Sequence, residues 1–274
     1  MPIKLGIIGG GVMGEALLSR LLAQQLYHPD QVLVSELLEQ RRDGLAQKYG
    51  IRVTANNQAA AAASEVLLLA IKPQVFAAVT AELAMGRGDN GHSLGTLPMV
   101  ISILAGVPLE RLENAFPSQP VIRAMPNTPA TVGAGITALA PGKWVSPDQM
   151  EQAKTIFRAV GEVVEIPEHL MDAVTGLSGS GPAYVAILVE ALADGGVAAG
   201  LPRAIALQLA LSTVLGTAQL LKETQIHPAQ LKDQVTSPGG TTIAAIAKLE
   251  KAGFRSALIE AVLGSYQRSR ELRG

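Results

Sequence analysis

One run near the start of the chain constrains the fold more than any other: residues 5–18 read LGIIGGGVMGEALL. Gly9, Gly11 and Gly14 make GxGxxG at the junction of an apolar strand and an apolar helix. In that setting the first glycine permits a tight turn and the second lets a pyrophosphate approach the backbone. The third lets helix and strand pack closely, and the helix N-terminus faces the phosphates. Apolar runs at 3–8, 32–35, 66–71, 100–104 and 134–140 read as strands, most of them separated by amphipathic or polar stretches. That rhythm predicts a parallel sheet covered on both faces. Residues 85–98 are glycine-rich and polar and read as a loop.

After about Pro167 the strand signals stop. Helices are predicted at 182–199, with Pro182 in the first turn and Gly200 past the end, and at 202–221. A shorter helix follows Thr241 and stops at Gly253, and a last one runs from 255 to about 270. Residues 204–221 carry no charge over the length of a membrane span, but Gln208, Ser212, Thr213, Thr217 and Gln219 spread over more than one face. They read as a core helix covered by a partner. Together the two uncharged helices hold more apolar face than a domain of about a hundred residues can hide, which predicts a homodimer joined through them. The expected class is α/β: a Rossmann-type doubly wound, mostly parallel sheet in residues 1–166, then an all-helical substrate-binding and dimerisation domain in 167–274.

Composition narrows the function. With 22 Lys+Arg against 23 Asp+Glu the net charge is −1, which removes the main reason to expect a nucleic-acid or anionic membrane partner. The absence of cysteine excludes a thiolate nucleophile and a Cys-ligated metal. It also suits a reducing compartment, and no targeting segment precedes the first strand, so a cytoplasmic location is expected. His28, His92, His169 and His227 are scattered near turns, and no metal site is expected.

Two sites emerge. The second strand ends Val34-Ser35-Glu36, with Arg41 and Arg42 beyond. Glu36 suits a ribose 2′-hydroxyl and NAD(H); Ser35 with Arg41 or Arg42 suits the 2′-phosphate of NADP(H). Both stay open. Further on, TSPGGTT at 236–242 precedes an apolar helix, and two glycines with hydroxyl residues at a helix start make a nest of N–H donors for an anion. A small carboxylate fits there without Lys or Arg. A plain threonine N-cap is the alternative, but capping alone does not call for Pro-Gly-Gly. Between 175 and 221 Arg203 is the one base. A hydroxy-acid dehydrogenase needs a general base in that region, whereas a protonated imine accepts hydride with little help beyond positioning.

Several segments resemble pyrroline-5-carboxylate reductase, in family order over nearly the whole chain. They are AIKPQ at 70–74, ISILAGV at 101–107, MPNTP at 125–129, DAVTGLSGSGPAY at 172–184 continued by ALADGGVAAGLP at 191–202, and VTSPGGTTI at 235–243. The resemblance implies reduction of 1-pyrroline-5-carboxylate to L-proline, with NADPH as cofactor and NADH as the alternative. It implies a pyrophosphate wrapped by Ile8, Gly9, Gly10, Gly11, Val12 and Met13, with Glu36 at the adenosine ribose and Asn57 near the adenine. Ala70, Ile71, Lys72 and Pro73, with Ile103, Leu104 and Ala105, would follow towards the nicotinamide. Asn127 either holds the nicotinamide side or caps its own turn. Ser237, Gly239, Gly240, Thr241 and Thr242 would hold the substrate carboxylate, with the Thr242 hydroxyl as the catalytic group beside the ring nitrogen. Glu168 and Gln234 match positions near the substrate pocket. The chain departs from the family pattern at Glu36, where a small hydroxyl residue is common, and at Gln234, where Asn is usual. In the family two helical domains interlock, each active site uses both chains, and some members build rings of dimers. Competing expectations are a reductase of another small imine or 2-hydroxy acid, or a non-catalytic nucleotide sensor.

Overall fold

The computed structural model describes residues 2–85 and 97–272. Most of the loop expected at 85–98 therefore lies outside the described residues, as does His92. The first half runs β1 (Leu5–Ile8), α1 (Val12–Ala23), β2 (Val32–Ser35), α2 (Glu39–Tyr49), β3 (Arg52–Thr54), α3 (Asn57–Ala61), β4 (Val66–Leu69) and α4 (Phe76–Met85). It continues with β5 (Met99–Ser102), α5 (Leu109–Ala115), β6 (Val121–Met125), β7 (Gly135–Pro141), α6 (Pro147–Arg158) and β8 (Gly161–Glu165).

The strands form one sheet in the order β3-β2-β1-β4-β5-β6-β7-β8. From β3 to β6 all neighbours are parallel; β7 runs antiparallel to β6 and parallel to β8. The doubly wound, mostly parallel prediction holds. Because strand residues alternate faces, the apolar runs split between two cores. Leu5, Ile7, Val66, Leu68, Met99 and Ile101 face one helix layer. Ile8, Leu67, Leu69 and Val100 face the other.

Three strands lie outside the predicted set, each for a visible reason. β3 has three residues and begins with exposed Arg52, and β8 is a largely exposed edge strand reading GEVVE. In β6 the apolar run is interrupted by Arg123, a charge that the fold nevertheless buries.

After β8 come α7 (Met171–Val174), a wide helical turn (Thr175–Gly179), α8 (Gly181–Ala198), α9 (Arg203–Thr224), α10 (Pro228–Gln234), α11 (Thr241–Lys251) and α12 (Phe254–Glu271). The chain divides into two compact units, Met1–Gly179 with Ser265–Gly274, and Ser180–Gly264. The division comes later than the last strand because Met171 joins the sheet's second core and Ser269 Oγ donates to buried Asp172 at 2.9 Å. In the second unit, α8 and α9 pack through Val189, Ala193, Ala206 and Ala210. The stretches Glu168–Ala198 and Arg203–Thr224 are long and apolar enough to cross a membrane, and only 11% of each apolar window is buried.

Candidate active site

The glycine turn is held tightly on one side and open on the other. Gly9 has φ +104°, and a Cβ there would lie 2.5 Å from Ala70 O; one at Gly14 would run into Gly9 O. Both glycines let α1 sit hard against β1 and β4. Gly11 is the N-cap of α1, and a Cβ added to it would meet nothing within 4 Å. The helix therefore starts without a side-chain cap and with free space before it, which fits a diphosphate drawn to the first-turn N–H groups.

The sheet places the other expected cofactor residues at the same edge, because β1, β4 and β5 are neighbours and parallel. Ala70, Ile71, Lys72 and Pro73 follow β4, and Ile103, Leu104 and Ala105 follow β5. Lys72 is exposed ahead of the turn Pro73–Val75. The side chains of Ile8 and Leu104 are buried in the core, so these two residues offer a ligand only their main chain.

The corner expected to take the adenosine ribose is more elaborate than its sequence suggests. Glu36 Oε2 accepts from the Gly10 amide at 3.0 Å and Oε1 from the Leu38 amide at 3.1 Å. Arg41 Nε donates to Gly10 O at 2.7 Å, and its Nη2 pairs with Glu15. Arg42 Nη1 reaches the carbonyls of Glu36 and Leu37, both at 2.8 Å. Ser35, expected as a phosphate hydroxyl, is buried and donates to Asn57 Oδ1 at 2.7 Å. The amide of Asn57, expected beside the adenine, is spent on Ser35 and on Glu82 Oε2 at 2.8 Å. Glu15 was not legible as a functional residue, since its partners stand 26 to 34 positions away. It also accepts from Lys48 at 2.9 Å and from the Tyr49 hydroxyl at 2.8 Å. Those bonds, Lys48 foremost, hold its carboxyl down at about 2 despite the opposing cost of desolvation.

Asn127 does not cap its turn. Its Oδ1 accepts from the Ile136 amide at 2.9 Å and its Nδ2 donates to Ser178 O at 3.2 Å, tying MPNTP to β7 and to the wide turn Thr175–Gly179. Glu168 Oε1 accepts from the Leu109 amide at 2.6 Å and from Arg123 Nη1 at 3.0 Å. It is the ion partner of a buried guanidinium rather than an ordinary surface residue.

In the second unit the loop expected to hold a carboxylate runs directly into α11. Gly239 has φ +69°, and a Cβ on Gly240 would strike Ser237 Oγ. Gly240 is the N-cap of α11 and has no side chain with which to close it. The threonine cap is thereby set aside: Thr241 and Thr242 stand inside the first turn. Gln234 is the exposed last residue of α10. Arg203, the one base of 175–221, is on the surface, paired with Asp194 at 2.5 Å. His227 Nδ1 caps α10 by accepting from the Ala229 amide. No cluster of three metal-ligating residues occurs among the described residues.

Comparison with known proteins places the chain. Residues 168–272 match the family model described as pyrroline-5-carboxylate reductase dimerisation, and residues 4–106 match that described as NADP oxidoreductase, coenzyme F420-dependent. The chain is 64% identical over 272 residues to a pyrroline-5-carboxylate reductase of Synechocystis sp., covering 99% of both. It is similar to the solved pyrroline-5-carboxylate reductase of Coxiella burnetii, with TM-score 0.88, 35% identity and 100% coverage of each chain. It is also similar to pyrroline carboxylate reductase of Plasmodium falciparum, solved with NADP bound, with TM-score 0.87, 28% identity and coverage of 99% and 98%.

Proposed function

The chain belongs to the pyrroline-5-carboxylate reductase family of NADP-dependent oxidoreductases, and on that premise we propose how its own residues reduce 1-pyrroline-5-carboxylate to L-proline, the last step of proline biosynthesis. The observation that carries the assignment of the substrate end is the start of α11. A helix that opens on Gly240, after a left-handed Gly239, has no side chain capping its first-turn N–H groups and presents them with the positive end of its dipole, while the Gly240 amide itself donates to Ser237 O at 3.0 Å. The carboxylate of the substrate rests there on Ser237, Gly239, Gly240, Thr241 and Thr242, with Gln234 at the rim. The Thr242 hydroxyl orients the ring nitrogen by hydrogen bonding.

When bound, the reduced nicotinamide supplies a hydride to the imine carbon. The protein's part is to hold the two reactants. Gly9, Gly10, Gly11, Val12 and Met13 cradle the pyrophosphate, and Glu36 reads the adenosine ribose. Lys72, Pro73, Ile103 and Ala105 line the path to the nicotinamide, with Ile8 and Leu104 contributing main chain. Asn127 fixes the loop at its far end and Asn57 stiffens the adenine end from within. Glu168 acts through Arg123 and Leu109 rather than by proton transfer. Because the protonated C=N already carries positive charge, alignment replaces a strong general acid.

The protein is a homo-oligomer, and its unit is a homodimer joined through α8 and α9, with each active site drawing on both chains and with rings of dimers as a further level of assembly. A cytoplasmic location suits the cysteine-free chain. The test is oxidation of NADPH and of NADH with 1-pyrroline-5-carboxylate. Turnover is expected with the unaltered protein, and Thr242→Ala should lower kcat by about 100-fold with nucleotide affinity held. Unchanged turnover would remove Thr242 from the mechanism. No turnover with either cofactor would overturn the assignment.

A further inference from the structure

The groups around Gly10 form a charge network that hydride transfer does not need, and it bears on which dinucleotide the chain accepts. Its first member is the Glu36 carboxylate, held at the end of β2 by the amides of Gly10 and Leu38. To swing away it would leave two amide donors unpaired, so a fixed negative charge stands beside the glycine turn. The groups that could welcome a 2′-phosphate are all committed elsewhere. Ser35 is buried and bonded to Asn57. Arg42 is folded back on the carbonyls of residues 36 and 37. Arg41 is bound to Gly10 O and paired with Glu15. Glu15 in turn is anchored by Lys48 and Tyr49, in a cleft lined also by Gly11, Val12 and Thr131.

We propose that Glu36 and Glu15 together set the cofactor preference, Glu36 by placing a fixed negative charge where a 2′-phosphate would sit and Glu15 by withholding Arg41 from it. The ligand favoured by this corner is an adenosine ribose with a free 2′-hydroxyl, which can donate to the Glu36 carboxylate. NADH therefore competes with NADPH in this chain, and the two acidic residues determine the ratio. This rests on the glycine turn being the nucleotide site.

The experiment is calorimetric titration of 2′,5′-ADP and 5′-AMP into the full-length protein and its variants, followed by kcat/KM with NADPH and NADH. The unaltered protein should bind the two nucleotides within tenfold of each other. Glu36→Ser should raise the preference for 2′,5′-ADP at least tenfold, and Glu15→Gln should raise it about threefold by freeing Arg41. The kcat/KM ratio should move in the same direction. If Glu36→Ser does not fold, Glu36→Gln keeps an amide oxygen for Gly10 while removing the charge and should show the same shift. An unchanged ratio in a folded Glu36 variant overturns the proposal, as does a native preference for 2′,5′-ADP beyond tenfold. Failure of either nucleotide to bind would instead sink the glycine-turn assignment.

Discussion

In the sheet-bearing half, the apolar residues of β1, β4 and β5 are at most 2% exposed, and each strand face has a helix layer over it. In the helical half, α8 and α9 also carry large apolar side chains, yet Ile187 and Leu215 stand 66% and 70% exposed. Only Val189, Ala193, Ala206 and Ala210 are buried in those helices among the described residues. The two halves differ in where the covering surface lies. The first supplies its own; on the proposed dimer, a second copy supplies it for the other. Each large apolar side chain left in water forgoes about 1.5–3 kcal/mol of burial, which the proposed dimer would recover.

The largest expected effect breaks this contrast directly. Ile187→Asp with Leu215→Asp changes residues that are surface in the single chain, where such substitutions cost within about 0.5 kcal/mol. In the proposed dimer they would bury two carboxylates, so dissociation at micromolar concentration with loss of turnover is expected by analytical ultracentrifugation and assay. An intact, active oligomer would show that α8 and α9 are not the joined faces.

The next effect sharpens the contrast through ion pairs. Glu168→Ala removes an ion partner of the Arg123 guanidinium inside the sheet half, where its side chain is 2% exposed. A loss of about 3 kcal/mol is expected in chemical denaturation, the low end for a buried pair because Glu168 itself meets solvent. Asp194→Ala removes the partner of exposed Arg203 in the helical half and should cost less than about 1 kcal/mol.

The smallest effect concerns pH. Glu15 has a folded pKa near 2 against an ordinary 4.5, so its contribution is full above about pH 4.5 and is lost as pH falls through 2. Glu15→Gln should flatten that stretch of the acid limb, by about 1 kcal/mol after solvent screening. An unchanged acid limb would mean that Lys48 and Tyr49 do not favour the ionised form.

What was legible from sequence follows the same division. Strands buried on both faces are continuous apolar runs, so β1, β2, β4, β5 and β7 could be read directly. Edge strands β3 and β8 lack that pattern, and β6 hides a charge inside it. Gly9, Gly11 and Gly14 were readable because their roles depend on local backbone geometry alone. So was the glycine-rich start of α11, although the absence of a threonine cap appears only once Gly240 is seen to open the helix. The partners of Ser35, Arg41 and Glu168 were not readable, since each lies 22 to 59 residues away in sequence and meets its partner only through the crossovers of the sheet.

On the proposed dimer, one half of the protein is complete in a single chain and the other is not. Molar mass by light scattering on the protein eluting from a sizing column tests it most directly. At micromolar concentration the mass should be twice 28.5 kDa or a higher even multiple. A stable, active species of 28.5 kDa would contradict it, because α8 and α9 would then stand in water with nothing to cover them.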